Sequence, residues 1–275
     1  MDPVSRRTVR DAAGRPVLSY IEGTRYGRPL AELLREHSPA AAGTILRTMP
    51  GWAVVVDEDL GRRLLQAGAR PLRHAHAYSR DLRASPAPAE WAETGYGVVS
   101  CGAVPADEVF PAWRAAYHPD HPDYHQPDDG AARRELATLL AGESEGPLLP
   151  CGGLLLRDGK VVAGVLVGTV PGEPPSGGPW VMDVFRDPDP RYAGLGAVML
   201  RRALALATLH GLPALGLAVT EGNPARRLYE RLGFGHVRSA VTVGIPGPDP
   251  GPDDPGADDP GPGAAGRDQA DQARR

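Results

Sequence analysis

Two glycines, two residues apart and preceded by an arginine, stand between a short apolar stretch and a long amphipathic one: Arg191-Tyr192-Ala193-Gly194-Leu195-Gly196. Glycine lets a backbone approach a bulky anion closely, and a helix starting there offers unpaired N–H groups and the positive end of its dipole. A pyrophosphate suits such a site. The same glycines also suit a tight strand-to-helix turn, so the pair alone leaves both readings open. A dinucleotide fingerprint is a poor match, because Met199 occupies the third glycine position. Upstream, Asp183 interrupts an otherwise apolar strand, Trp180 to Arg186, and marks either a cleft-lining carboxylate or a structural hydrogen-bond acceptor. Simple alternation puts Asp183 on the face of Val181 and Phe185, opposite Met182 and Val184.

Other residues capable of chemistry carry less. His118, Asp120, His121, Asp123 and His125 are ligand types, but Pro119, Pro122 and Pro127 favour a turn-rich exposed segment without a fixed ligand frame, so no metal is expected. Cys101 and Cys151 are far apart and read as small buried hydrophobes in a reducing compartment.

The elements that must position these residues follow from periodicity and turn chemistry. Val98 to Val104 reads as a strand, Pro105 to Ala116 and Ala131 to Ala141 as helices, and Leu154 to Leu156 with Val161 to Val167 as a hairpin. The hairpin turn is Asp158-Gly159, which supplies the positive φ angles of a type I′ turn. After the strand at Trp180 comes a long helix, Gly194 to His210, then a strand at Leu215 to Val219. Asn223 can cap a further helix that accepts Pro224 in its first turn and ends at Gly233, before strand structure from His236 to Gly244. The fold class is α+β: a mixed, mostly antiparallel sheet flanked by helices, with ligands expected where strands end and helices begin.

At this point the sequence resembles a known family. Arg191-x-x-Gly194-x-Gly196 is similar to the R/Q-x-x-G-x-G/A signature of GNAT acetyltransferases, and Asn223-Pro224-Ala225-Arg226-Arg227-Leu228-Tyr229-Glu230-Arg231-Leu232-Gly233-Phe234 to their N-x-x-A-x-x-L-Y-x-x-x-G-F helix. The resemblance covers residues 94–245. It implies transfer of an acetyl or short acyl group from acetyl-CoA, a cosubstrate, to an amine. Val184, Phe185 and Arg186 would pair with the pantetheine arm, Tyr192 to Ala197 would supply amides to the pyrophosphate, and Asn223 would hydrogen-bond the pantetheine. Tyr229 would protonate the leaving thiolate, or pack on the core, and Asp183 is the candidate base. Some relatives carry a glutamate in the fifth strand where this chain has Ala218. Tyr117, Tyr124 and the neighbouring imidazoles border the acceptor side. The rival reading is a non-catalytic acyl-CoA-binding sensor or interaction module.

Residues 1–83 read as a smaller unit, with helices at Pro29 to Glu36 and Pro39 to Arg47 and a strand at Trp52 to Val56. Arg62 to Arg73 is similar to Arg226 to Arg238 if one residue is skipped. That is either a degenerate partial copy of the fold or agreement by shared Arg, Leu, Ala and Gly bias. Residues 84–93 read as a linker, and 246–275, rich in Pro, Gly and Asp, as a disordered tail. A net charge of -4 argues against nucleic acid as a partner. Neither a signal peptide nor a membrane span is expected, so a cytoplasmic location is. Lys160 is the sole lysine, a codon bias of GC-rich bacteria. The acceptor amine stays unidentified, and a homodimer stays open.

Overall fold

The computed structural model describes residues 6–25, 28–124, 128–143 and 146–247. His125 and nearly all of the expected tail lie outside them. Among the described residues, eleven strands form one sheet in the order β1-β2-β3-β4-β11-β5-β10-β9-β8-β7-β6. The first half of the chain supplies β1 (Arg6–Arg10), β2 (Pro16–Arg25), β3 (Arg28–Glu36), α1 (Ala41–Thr48), β4 (Ala53–Val56), α2 (Glu58–Gln66) and β5 (Arg70–Asp81). The second half supplies β6 (Gly97–Val99), α3 (Ala106–Ala116), α4 (Asp129–Leu140), β7 (Gly153–Arg157), β8 (Lys160–Val170), β9 (Gly178–Arg186), α5 (Leu195–Leu209), β10 (Ala214–Thr220), α6 (Arg226–Arg231) and β11 (Gly235–Gly244).

Local chemistry explains many boundaries. Asp158 and Gly159 sit at φ 52° and 75° and close the β7–β8 hairpin. The Asp57 carboxylate accepts from the Leu60 amide and starts α2, and Asp128 does the same for α4 through Ala131. Gly233, at φ 80°, ends α6.

The stretch 29–36 is a strand, not the helix its Leu30, Leu33, Leu34 spacing suggests. Antiparallel pairing with β2 and parallel pairing with β4 satisfy its backbone and bury Leu30 and Ala31, and this tertiary pairing overrides the local pattern. Strands β1 and β2 have no counterpart in the sequence reading, since their alternation is broken by charge and glycine. Residues 84–93 are packed rather than extended: Ala87 is buried, its amide donates to Thr208 Oγ1, and the Trp91 ring lies between Arg80 and Arg201. By length and apolarity Pro190–Leu209 could cross a membrane, contrary to the reading that no such run exists. In the fold it contains the core helix α5, which buries Leu195, Met199, Leu200, Ala203, Leu204, Ala205 and Ala207.

The two halves repeat one another in topology and exchange their last strands. In each, a parallel pair with a helix between (β3-α1-β4 and β9-α5-β10) leads to a second helix and a long final strand (α2-β5 and α6-β11). β5 pairs with both β10 and β11, while β11 pairs with both β5 and β4. Each final strand therefore completes the other half's core. Tyr78 of β5 and Leu82 just after it join the cluster under α5 and α6, and Val243 of β11 joins the one under α1 and α2. A third cluster packs α3 and α4 on the opposite face of β7 to β9.

Exchange makes the halves one cooperative unit. Leu64→Ala, in the first core, and Tyr78→Ala, in the second, remove fully buried side chains, and each should destabilise by roughly 2–5 kcal/mol. Both should lower one common transition in calorimetry. Two resolved transitions, only one of them moved by each variant, would contradict this account.

Candidate acyl-CoA and acceptor site

The parallel strands β9 and β10 touch at only two positions, Gly216 with Trp180 and Leu217 with Val181. Beyond these, Met182 to Arg186 and Ala218 to Thr220 diverge. β9 remains hydrogen-bonded to β8 on its other side, so its edge from Met182 onward faces an opening. Gly216 is required at the join, because a Cβ there would collide with the Trp180 ring.

At the mouth of the opening Gly194 occupies the left-handed region at φ 86° and serves as N-cap of α5. Cβ atoms added at Gly194 or Gly196 would meet nothing within 4 Å, so the approach to this turn is open. The amides of Tyr192, Ala193 and Ala197 are bonded to the carbonyls of Asp189, Pro190 and Gly194. Of the stretch Tyr192 to Ala197, then, the amides of Gly194, Leu195 and Gly196 are the donors left for an anion, a narrower set than the sequence implied. Arg191 points outward, paired with Asp189 and lying over the Tyr192 ring. A cleft of about 320 Å³ runs from these glycines along Val184, Phe185 and Arg186 to Ala225, Leu228 and Tyr229.

Tyr229 is 5% exposed and belongs to the core under α5, yet it lines the cleft, so packing and access coexist. Burial raises its phenol pKa well above the usual tyrosine value, and the charges of Asp123 and Asp183 push in the same direction. The neutral, proton-donating form is fixed.

Asp183 shares the face of Phe185, opposite Val184, as alternation assigns, but Val181 and Met182 have changed sides. The β8–β9 register shifts between Leu166 and Val167, leaving Met182 as an extra residue in β9. Val181 and Val184 pack toward α5, while Met182 and Phe185 pack toward α3. The bulge leaves Asp183 with Phe185 on the α3 side and parts Val181 from that face. There its carboxylate accepts from Trp113 Nε1 at 2.7 Å and Tyr117 Oη at 2.6 Å. Desolvation outweighs these two donors and raises its pKa to about 6. The Tyr117 phenol is pushed well above its ordinary range by burial and by Asp183.

A second carboxylate, Asp123, lies against the end of β10. It accepts from Arg73 Nη2 and Asn223 Nδ2, both at 3.0 Å, and from Thr220 Oγ1. Burial acts to raise its pKa, but the Thr220 hydroxyl, the Arg73 charge, the Asn223 amide and the nearby His121 together outweigh it and hold the pKa below the ordinary carboxylate value. Asn223 is thus engaged at both ends, since its Oδ1 accepts from the Ala225 amide. The expected pantetheine contact would require exchange of one of these bonds. His118 and His121 each accept a backbone amide within their loop, from Asp120 and Asp123. Trp113, Thr220 and Arg73 were not singled out by sequence reasoning. Arg73 in particular comes from the first half, where no local motif signals a role in the second half's site.

Residues 107–234 match the family model described as "Acetyltransferase (GNAT) family". This part of the chain belongs to the GNAT superfamily. No curated protein sequence matches the chain. Among solved structures, a GCN5-related N-acetyltransferase from Sphaerobacter thermophilus has a TM-score of 0.58 at 20% identity, over 90% of this chain and 82% of that one. A tandem GNAT protein from the clavulanic acid biosynthesis pathway has a TM-score of 0.54 at 15% identity, over 89% and 83%. A conserved protein of unknown function from Staphylococcus epidermidis has a TM-score of 0.52 at 9% identity, over 88% and 94%. These likenesses show a shared fold across both halves. Acyl transfer from acyl-CoA is the general activity of the superfamily.

Gly196→Glu places a carboxylate at the open helix start without the backbone strain a side chain would meet at Gly194. It should abolish acetyl-CoA binding in calorimetry while the circular dichroism and melting temperature stay near the parent's. Retained affinity in the folded variant would remove the anion site from this turn.

Proposed function

We propose that this protein transfers an acetyl or short acyl group from acyl-CoA to an amine by direct attack, with Asp183 as general base and Tyr229 as general acid. The observation that carries the reading is the divergence of β9 and β10 after two residue pairs. It leaves an unpaired strand edge for the extended pantetheine arm, ending at the open helix start that suits the pyrophosphate. The thioester would then lie in the interior of the splay, between Tyr229 and the Asp183–Tyr117 pair.

In the proposed step the neutral amine nitrogen attacks the thioester carbonyl carbon; the C–N bond forms and the C–S bond breaks. Asp183, directly or through water, takes the proton the amine loses, and Tyr229 gives one to the leaving thiolate. A carboxylate with a pKa of about 6 is largely ionised at neutral pH yet basic enough to accept a proton. Its setting between Trp113 and Tyr117 fixes its direction. Asp123, anchored by three donors, keeps its charge and supplies a negative field on the acceptor side, which favours a cationic amine.

Activity should therefore rise with pH through about 6, as Asp183 ionises. Tyr117→Phe removes a donor that stabilises the carboxylate, so the acidic limb should move to higher pH. Tyr229→Phe should lower kcat by about 10²- to 10⁴-fold with little change in acetyl-CoA affinity. Steady-state rates across pH against a panel of amines, with detection of the free thiol, check all three. Full turnover in both Asp183→Asn and Tyr229→Phe would remove these two residues from the chemistry, and acetyl-CoA binding with no turnover of any amine by the parent would leave a binding module.

A further inference from the structure

We propose that His74, His76 and Glu221 form a binding site for one divalent transition-metal ion of the zinc type, clamping the first half of the chain to the second. His74 and His76 are two apart on β5, so both imidazoles project from the same face of the sheet, with ring centroids 4.6 Å apart. Glu221 follows β10 directly, and its amide donates to the His74 carbonyl at 2.8 Å, which fixes its place beside the two rings. One donor atom from each residue lies within 4.8 Å of the other two.

The surroundings resemble those that hold metal ligands in place. Ser239 Oγ, on β11, is 2.9 Å from His76 Nδ1 and orients that ring so that Nε2 faces the Glu221 carboxylate. Glu58, at the start of α2, reaches His74 Nε2 at 3.0 Å and offers a further oxygen. Two imidazole nitrogens with one or two carboxylates form a donor set of the kind that zinc, cobalt and nickel accept, and neutral imidazoles leave a dication to balance the acidic charge. The His76 ring is nearly buried and rigid, while Glu221, 56% exposed, is free to make the small swing that admits an ion between it and His76. A simple ion pair would use one imidazole; the second, tilted beside it at 53° and with its own carboxylate, is accounted for by a shared cation. The site departs from the sequence expectation of no metal because strand exchange, not sequence spacing, assembles it. It lies two residues before Asn223, at the turn into the helix that carries Tyr229.

The test uses the full-length chain after chelation. Titration with zinc chloride by calorimetry should give one saturable site per chain, and cobalt(II) should develop the visible absorption of a four-coordinate N,O site. His74→Ala and Glu221→Gln, both at partly exposed positions, should abolish that site while the fold persists by circular dichroism. Ser239→Ala, which loosens the His76 ring, should weaken it by about tenfold. Zinc should raise the melting temperature of the parent but not of the two ligand variants. Replacing His118 and His121 together by alanine should change nothing. Absence of saturable binding, equal affinity in the Glu221→Gln and parent chains, or loss of binding only in the double loop variant would overturn the proposal and leave His76 and Glu221 as a hydrogen-bonded pair.

Discussion

The pairing of β5 with β11 is the constraint on which the rest of the molecule depends. These strands are the last of their respective halves, and each lies between its counterpart and a strand of the other half. Backbone hydrogen bonds across such a junction cannot be given up singly, because an unpaired strand buried in a sheet leaves its amides and carbonyls without partners. The three apolar clusters are laid on this continuous backbone. Tyr78, fully buried, is supplied by one half and covered by the helices of the other.

From that frame the site follows by a local defect rather than by added parts. A parallel pair would ordinarily run on; here β9 and β10 part after Leu217, with the Trp180 ring lying over Gly216 at the join. The bulge at Met182 increases the local twist and parts Val181 from the α3 face that Asp183 and Phe185 share. The edge that can receive an extended ligand therefore begins at the bulged residue, one position before the Asp183 carboxylate. The first half has a comparable two-residue contact between β3 and β4, but His37 to Ala40 stand before α1 without a glycine, so no open helix start faces that join.

Charge in the site is organised by desolvation and by donors in opposite proportion. The Asp123 charge acts on Asp183, yet the pKa values of the two carboxylates move apart. Burial dominates at Asp183, whereas an arginine, a hydroxyl and an amide hold Asp123 ionised. The arginine is Arg73, from the exchanged strand. The first half thus reaches the chemistry of the second through one side chain, and the stability of the junction and the electrostatics of the cleft share residues.

Much of this was legible in the sequence. Gly194 with Gly196, the Asn223-to-Phe234 helix, the Asp158-Gly159 hairpin and the order of elements after residue 97 are local: turn chemistry, capping and helical period act over a few residues and leave a pattern in them. The same holds for Tyr229, carried by its motif. What the sequence could not decide depends on pairing across long separations. Residues 29–36 carry a helical spacing, and only their neighbours β2 and β4 make them a strand. The separation of Val181 from the face of Asp183 and Phe185 depends on a bulge measured against β8. The meeting of Arg73 with Asp123, and of His74 and His76 with Glu221, spans 50 and about 145 residues of chain and exists because β5 enters a sheet begun elsewhere. Periodicity records which face of an element is apolar; it holds no record of which strand lies beside it, and that was settled by the tertiary structure alone.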